Sequence, residues 1–284
     1  MEKYYAFAGL ELTVSTRDEW MYEDDRMLAP FRVASVSNPH LFTFSIVDKL
    51  TPPTGDFDAM MESILAYRDG NTRIRYYGAS SDDWHTAFIR IEHQGKTHSV
   101  EVRSTAYRQC ISPKTVLKAI DIEHLIAKQN SFVFHASFID IGGKAILFTA
   151  PSGTGKSTQA ELWHSLRNAC ILNGDRSIVR CTEDGIFACG IPFMGSSEYC
   201  ENVTLPLAAI VYLSQAPQTT IRPLKGLEAF RHVWEGVSIN IWEKDDVSRT
   251  MDTVGHVIQS VPIYHLACTP DETAVAALEQ QLGK

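Results

Sequence analysis

The chain has 284 residues, enough for one large domain or two modest ones, and 44% of them are hydrophobic, so a sizeable core is available. Its formal net charge of −8 argues against nucleic acid or an anionic membrane surface as the main partner. No apolar run approaches the roughly 18 residues of a membrane span, and the start, Met-Glu-Lys-Tyr-Tyr-Ala-Phe, lacks a signal-peptide core. The six cysteines, Cys110, Cys170, Cys181, Cys189, Cys200 and Cys268, form no C-x-x-C and no metal-ligand spacing. Reduced, mostly buried thiols in a soluble cytoplasmic protein are therefore expected.

Residues 4–15 alternate loosely and predict a strand. The charged residues 17–26 predict a loop, and 31–36 and 41–47 predict further strands. Pro52-Pro53-Thr54-Gly55 then punctuates the chain. Residues 72–78, 86–93 and 97–103 predict a β-meander, with turns at 78–83 and 94–96. Residues 1–108 thus predict a strand-rich unit without recognisable catalytic spacing. Within it, alternation is expected to place His93 and His98 on opposite faces, and no carboxylate spacing beside His85, His93 and His98 points to a metal.

Ser112 suits a helix N-cap and Pro113 the first helical position. An apolar face through Val116, Ile120, Ile122, Leu125 and Ile126 predicts a connecting helix over 112–129. Residues 132–135 and 137–141 predict two short strands, and Gly142-Gly143 a hairpin turn into a buried strand over 145–149.

That strand ends in Ala150-Pro-Ser-Gly-Thr-Gly-Lys-Ser-Thr158, and helical spacing follows from Lys156. Strand, glycine loop and helix are the setting of a phosphate-binding P-loop. Gly153 and Gly155 permit backbone angles that side chains forbid, so successive N–H groups can face an anion at the positive end of the helix. Ser152, Gly153, Thr154, Gly155, Lys156, Ser157 and Thr158 would hold the nucleotide phosphates, Lys156 reaching the β- and γ-phosphates and Ser157 a Mg²⁺ ion. Ala150 stands where the pattern has its first Gly, a position that needs only a small residue.

Cys170 to Arg180 predicts a strand, a tight turn at Asn173-Gly174 and a second strand. A turn at 183–185 leads to a strand at 186–189, then to a loop framed by Gly190 and Gly195 around Pro192. Residues 207–213 predict a strand, 227–234 and 247–260 helices, 261–266 a strand, and 271–282 a terminal helix with Asp271 near its start. The pattern is β-rich first and mixed α/β afterwards.

Phe134-His135-Ala136-Ser137, the P-loop and Asn173-Gly174-Asp175-Arg176 together resemble the bacterial HPr serine kinase/phosphatase family. This is a group of phosphoenolpyruvate carboxykinase-like P-loop proteins, and the likeness is to its stand-alone HPr-kinase-like members in particular. The resemblance spans about residues 130–282 and does not extend to the N-terminal region. It implies an α/β (α+β) fold, with a P-loop nucleotide-binding domain of the HPr kinase/phosphoenolpyruvate carboxykinase-like type over 109–284 and the strand-rich region over 1–108. His135, Lys156, Ser157 and Asp175 fall on family positions. The resemblance implies Asp175, His135 and Lys156 as catalytic, ATP and Mg²⁺ as cofactors, and Ser157 and Asp175 as metal ligands. Two departures stand out. Gly174 replaces the first Asp of the family's pair, and the family's separate C-terminal signature for phosphorolysis is not found.

From spacing alone, each candidate keeps two readings. Asp175 holds Mg²⁺ or takes the acceptor proton, or is a turn residue. His135 belongs to the site, or is a hydrogen-bonded core residue. Arg176 neutralises phosphate or is solvated. The Gly190–Gly195 loop lines a substrate site or turns the chain, and Glu198 after it is a second candidate acid. Arg222 and Lys225 meet phosphate or lie at the surface. The expected function is an ATP-dependent, Mg²⁺-requiring phosphotransferase acting on a hydroxyl, a serine of a peptide or protein. The alternative is an ATP-binding regulatory module without transfer. The acceptor's identity, ATP against GTP, and the oligomeric state, a homo-oligomer included, stay open.

Overall fold

Ala8 and Gly9 both take positive φ, 47° and 80°, and fold the stretch expected as one strand into a hairpin. Its arms are β1 (Glu2–Phe7) and β2 (Leu10–Thr16), with Phe7 opposite Leu10. An alanine at positive φ is sterically unfavourable, so this turn has only half of the usual residue signal. The computed structural model describes residues 1–16, 26–61, 63–106, 113–195 and 198–283. Residues 17–25 of the loop expected over 17–26, Cys110 and the expected N-cap Ser112 lie outside those residues. The chain divides into two units, Met1–Asp121 and Ile122–Lys284.

In the first unit the hairpin joins β3 (Arg32–Val33), β4 (His40–Val47), β5 (Asp56–Met61), β6 (Ile64–Asp69), β7 (Thr72–Tyr77), β8 (Ile89–Gln94) and β9 (Thr97–Arg103). Their order is β3-β1-β2-β4-β9-β8-β7-β6-β5. The expected strand over 31–36 shrinks to β3, because Ala29–Phe31 form a 3-10 turn. Neither β5 nor β6 was expected. β5 exposes Phe57 and Met60 and so lacks an inside–outside alternation. The β8–β9 register corrects the expectation for the histidines. His93 sits directly opposite His98, and directly opposed residues share a face. Both are buried, with their Nδ1 atoms 3.0 Å apart, and His98 Nε2 lies 3.0 Å from His40 Nδ1. Burial holds His93 well below the ordinary imidazole range.

The helix expected over 112–129 is two helices, α1 (Pro113–Ile120) and α2 (Ile122–Ala127). Asp121 between them has φ 54°, which no helix continues through. Its carboxylate accepts from Arg75 at 2.8 Å and Arg73 at 3.1 Å, all three side chains being buried. That ion cluster ties the end of α1 to β7, which is why the units divide at 121/122 rather than at the expected 108/109.

In the second unit β10 (Ser131–Ile141) is one strand where two were expected. It turns at Gly142-Gly143, with φ 62° and 80°, into β11 (Lys144–Thr149). Along its other edge run β12 (Cys170–Asn173) and β13 (Arg176–Thr182), both antiparallel to it. Cys170 faces Asp140 and Arg180 faces Ser131, so the chain continues in one direction from β12 to β13. The expected chain reversal at Asn173-Gly174 is therefore corrected to a step between two strand segments. Asn173 explains it: its Oδ1 accepts from the backbone N–H groups of Asp175 and Arg176, donors that a hairpin turn would have used otherwise.

β14 (Gly185–Cys189) follows β13, and β15 (Thr204–Gln215), β16 (Thr220–Pro223), β17 (Val237–Ser238) and β18 (Ile263–Cys268) complete the unit's strands. β11, β15 and β18 are parallel neighbours, Phe148 facing Val211 and Gln215 facing Cys268. The helices are α3 (Lys156–Arg167), α4 (Gly226–Trp234), α5 (Lys244–Ser260) and α6 (Glu272–Leu282), the last capped by the Asp271 side chain on Thr273 N–H. Both faces of β11 are buried. Ile146 and Phe148 pack with Trp163 of α3 and Leu278 of α6, whereas Ala145 and Leu147 pack with Val233 of α4 and Val257 of α5. A central strand covered on both faces reads as a continuous apolar run, as Ala145–Phe148 does. The architecture is mixed α/β. Among the described residues no helix is long and apolar enough to cross a membrane.

Candidate active site

The loop after β11 meets α3 at the carboxyl end of the parallel strands, where ligands of α/β sheets gather. Gly153 has φ 78° and Gly155 φ 120°, conformations that L side chains rarely adopt. Gly155 is the N-cap of α3 and supplies no side-chain cap, which leaves the helix's first N–H groups to a ligand or water. Lys156, Gln159, Ala160 and Trp163 form the buried stripe of this helix. Lys156 is consequently 8% exposed, and its Nζ donates to the Ala150 carbonyl at 3.0 Å. Ala150 thus contributes a backbone oxygen while its methyl is buried, so the lost glycine leaves the loop intact. Burial lowers the Lys156 pKa, and the charge of Asp175 opposes that shift.

Ser157 and Ser137 converge on one atom. Their hydroxyls donate to the Gly174 carbonyl at 3.4 Å and 2.9 Å. The β12–β13 step is thereby held between α3 and β10, and Asp175 projects from it. Asp175 Oδ1 lies 3.3 Å from His135 Nε2, and Oδ2 lies 3.4 Å from Arg176 Nε without hydrogen-bond geometry. His135 arrives from β10, where it pairs with Arg176 in register. Its backbone N–H donates to Gly236 O at 2.7 Å. The His135 imidazole beside it holds the Asp175 carboxyl below its ordinary range, with the charges of Arg176 and Lys156 helping against burial.

The Gly190–Gly195 loop closes on this group. Phe193 O accepts from Asn173 Nδ2 at 2.8 Å, and the Arg176 guanidinium lies 4.1 Å from the Phe193 ring centroid. Gly195 approaches Asp175 so closely that a Cβ there would lie 2.7 Å from its Cβ and Cγ. The structure therefore brings Lys156, Ser157, Asp175, His135 and Arg176 to one place. Ser152 and Thr158 are exposed on the same loop and helix start, and Thr154 is half-buried there. Glu198 is exposed beyond the loop, and Lys225 is exposed at the start of α4. Arg222 pairs with Glu228 at the surface.

Asn173, Ser137 and Phe193 were missed as supporting residues. For Asn173 the signal was an asparagine two residues before Asp175, the spacing of an Asx turn. Ser137 and Phe193 lie inside stretches the sequence marks, the 134–137 motif and the 190–195 loop, but nothing local assigns them these contacts. Among the described residues, no group of three His, Cys, Asp or Glu is arranged to hold a metal. The oxygens of Ser157 and Asp175 have the donor chemistry that Mg²⁺ selects, and such sites usually draw their remaining ligands from phosphate and water.

No family model matches the chain, and neither does any curated protein. Among solved structures, the Hpr(Ser) kinase/phosphatase from Coxiella burnetii is similar at 11% identity and a TM-score of 0.31. The match covers 54% of this chain and 99% of that one. At this level the likeness is distant.

Proposed function

We propose that the protein is an ATP-dependent, Mg²⁺-requiring phosphotransferase acting on a hydroxyl, a serine of a peptide or protein. One observation carries the reading: the P-loop residues Lys156 and Ser157 share a strand-end site with the Asp175–His135 pair. In this reading Lys156 and the loop amides bind the phosphates. Lys156 leaves the Ala150 carbonyl to do so. Ser157 and Asp175 would hold Mg²⁺, which would supply charge neutralisation at the phosphates when bound. Asp175, ionised well below neutral pH, orients the acceptor hydroxyl, and its proton passes to Asp175 or to His135 beside it. The acceptor oxygen forms its bond to the γ-phosphorus as the bridging P–O bond breaks, and ADP leaves with that bond's electrons. Such a transfer asks more of positioning and charge than of base strength, so a carboxylate of depressed pKa serves.

Single-turnover transfer from γ-labelled ATP to a serine peptide tests this, using a peptide array to supply the acceptor. Asp175→Asn should slow transfer by roughly a hundredfold or more while leaving ATP affinity within a few-fold. His135→Gln should cost less if His135 only orients Asp175. Near-normal transfer by Asp175→Asn would reject the assignment. ATP binding by the wild type without any transfer would favour the regulatory-module reading, which the missing carboxylate at Gly174 motivates.

A further inference from the structure

A second feature adjoins the P-loop and is not lined by Asp175 or His135. A cleft of about 580 Å³ lies between the loop backbone at Gly153–Gly155, the end of β15 at Leu213–Pro217 and the end of β18 at Cys268–Pro270. Its volume falls in the range of small-molecule sites. Its place follows from the topology. β11, β15 and β18 are parallel, so the strand that feeds the P-loop and the two that wall the cleft all end on the same side. Gln215 Nε2 donates to Thr154 O at 3.4 Å and couples that wall to the loop.

Gln159 is the polar side chain buried in this wall. It is 3% exposed, on the buried stripe of α3 three residues after Lys156. Its Nε2 donates to Cys268 Sγ at 3.4 Å, a weak acceptor. Its Oε1 is buried and, among the described residues, has no donor. A buried amide oxygen without a partner is destabilising and calls for an explanation. A ligand that brings an N–H to this wall would provide one.

We propose that the cleft takes the base and ribose of an adenine nucleotide, with the Gln159 amide, whose oxygen is closed to solvent in the free protein, opening into the cleft to accept from the exocyclic amine of the base. This rests on the P-loop reading, because the phosphates must lie on Gly153–Lys156 for the base to reach the cleft. The apolar walls, Leu213, Pro217 and Pro270, suit the faces of a purine ring. The amide oxygen suits an amine at its edge, where guanine presents a carbonyl.

Calorimetric titration of the full chain with Mg²⁺ and either ATP, GTP or inorganic tripolyphosphate tests it. Two variants are used. Gln159→Leu removes the amide at similar volume. Ala216→Phe fills the cleft from a half-buried wall position while keeping the Ala216 N–H bond to Cys268 O, 3.1 Å. Wild type should bind ATP about tenfold or more tighter than tripolyphosphate, and tighter than GTP, the scale of a hydrogen bond with some buried surface. Ala216→Phe should bring ATP down to the level of tripolyphosphate and leave tripolyphosphate unchanged. Gln159→Leu should weaken ATP by about fivefold and erase the preference over GTP. Equal affinity of wild type for ATP and tripolyphosphate, or unchanged ATP affinity in Ala216→Phe, would overturn the base site alone and leave the P-loop reading standing. Binding of none of the three ligands would overturn both.

Discussion

Gly195→Ala is a small change that reports on the position of Asp175. The added Cβ would sit 2.7 Å from Asp175 Cβ and Cγ and 2.9 Å from Oδ1, where ordinary contacts begin at 3.4 Å. Asp175 or the loop must yield by the difference, 3.4 − 2.7, or about 0.7 Å. A misplacement of about 1 Å at a reacting centre costs on the order of a hundredfold, so a loss of roughly ten- to a hundredfold in transfer is expected. Stability should fall little, about 1 kcal/mol at the low end of overpacking, because the Asp175 side chain is partly exposed and can swing. The assay is single-turnover consumption of Mg·ATP with acceptor present, with nucleotide affinity and urea unfolding measured on the same samples. ATP affinity should hold, since Lys156 is untouched. Combined with Asp175→Asn, the glycine change should add almost nothing, because both act through one carboxylate. Full activity of Gly195→Ala, or a loss that simply adds to that of Asp175→Asn, would refute the placement of Asp175 at the reacting centre.

Two further expectations concern the rest of the chain. Asp121→Asn keeps the shape but leaves Arg75, 2% exposed, without this carboxylate, and breaking a buried pair should cost about 3–5 kcal/mol in urea unfolding; a change under about 1 kcal/mol would show that the cluster does not brace α1 on β7. Among the described cysteines, exposed Cys170 should be alkylated first by iodoacetamide, ahead of Cys181, Cys189 and Cys268, whose thiols burial pushes up, Cys181 to about 11. The rate at Cys181 should therefore climb with pH through 8 to 10 as the thiolate forms, and a plateau near pH 8 by mass-spectrometric mapping would contradict this.

Much of the second unit was legible because its signals are local. Gly142-Gly143 marks a two-residue turn, the run 145–149 a strand buried on both faces, and Asp271 a helix cap, and each stands within a residue or two of its expected place. The glycine loop between β11 and α3 was legible for the same reason: its glycines, lysine and serine lie within a few residues of one another. What failed was non-local. Asn173-Gly174 reads as a reversal, yet the chain runs straight on because β10 pairs with strand segments on both sides of the step. The facing of His93 and His98 is set by a register between two strands, which alternation along one strand does not reveal. The break at Asp121 depends on two arginines some 46 to 48 residues upstream, 121 − 75 and 121 − 73, whose charge only the folded sheet brings together. In the site, the pairing of Asp175 with His135 joins residues 40 apart, 175 − 135, through the β10–β13 register. The approach of Gly195 is likewise a tertiary contact without a motif.

The central claim is that Lys156 and its loop bind the phosphates of ATP. Calorimetric titration of Mg·ATP into wild type and Lys156→Ala tests it most directly. The wild type should bind, and the variant should bind at least about tenfold more weakly or not at all, since one ammonium loses its contacts to two phosphates. Circular dichroism should show both proteins folded alike, because the Lys156 ammonium hydrogen-bonds, among the described residues, to the Ala150 carbonyl alone. Equal ATP affinity in the two proteins, or no binding by the wild type, would contradict the account.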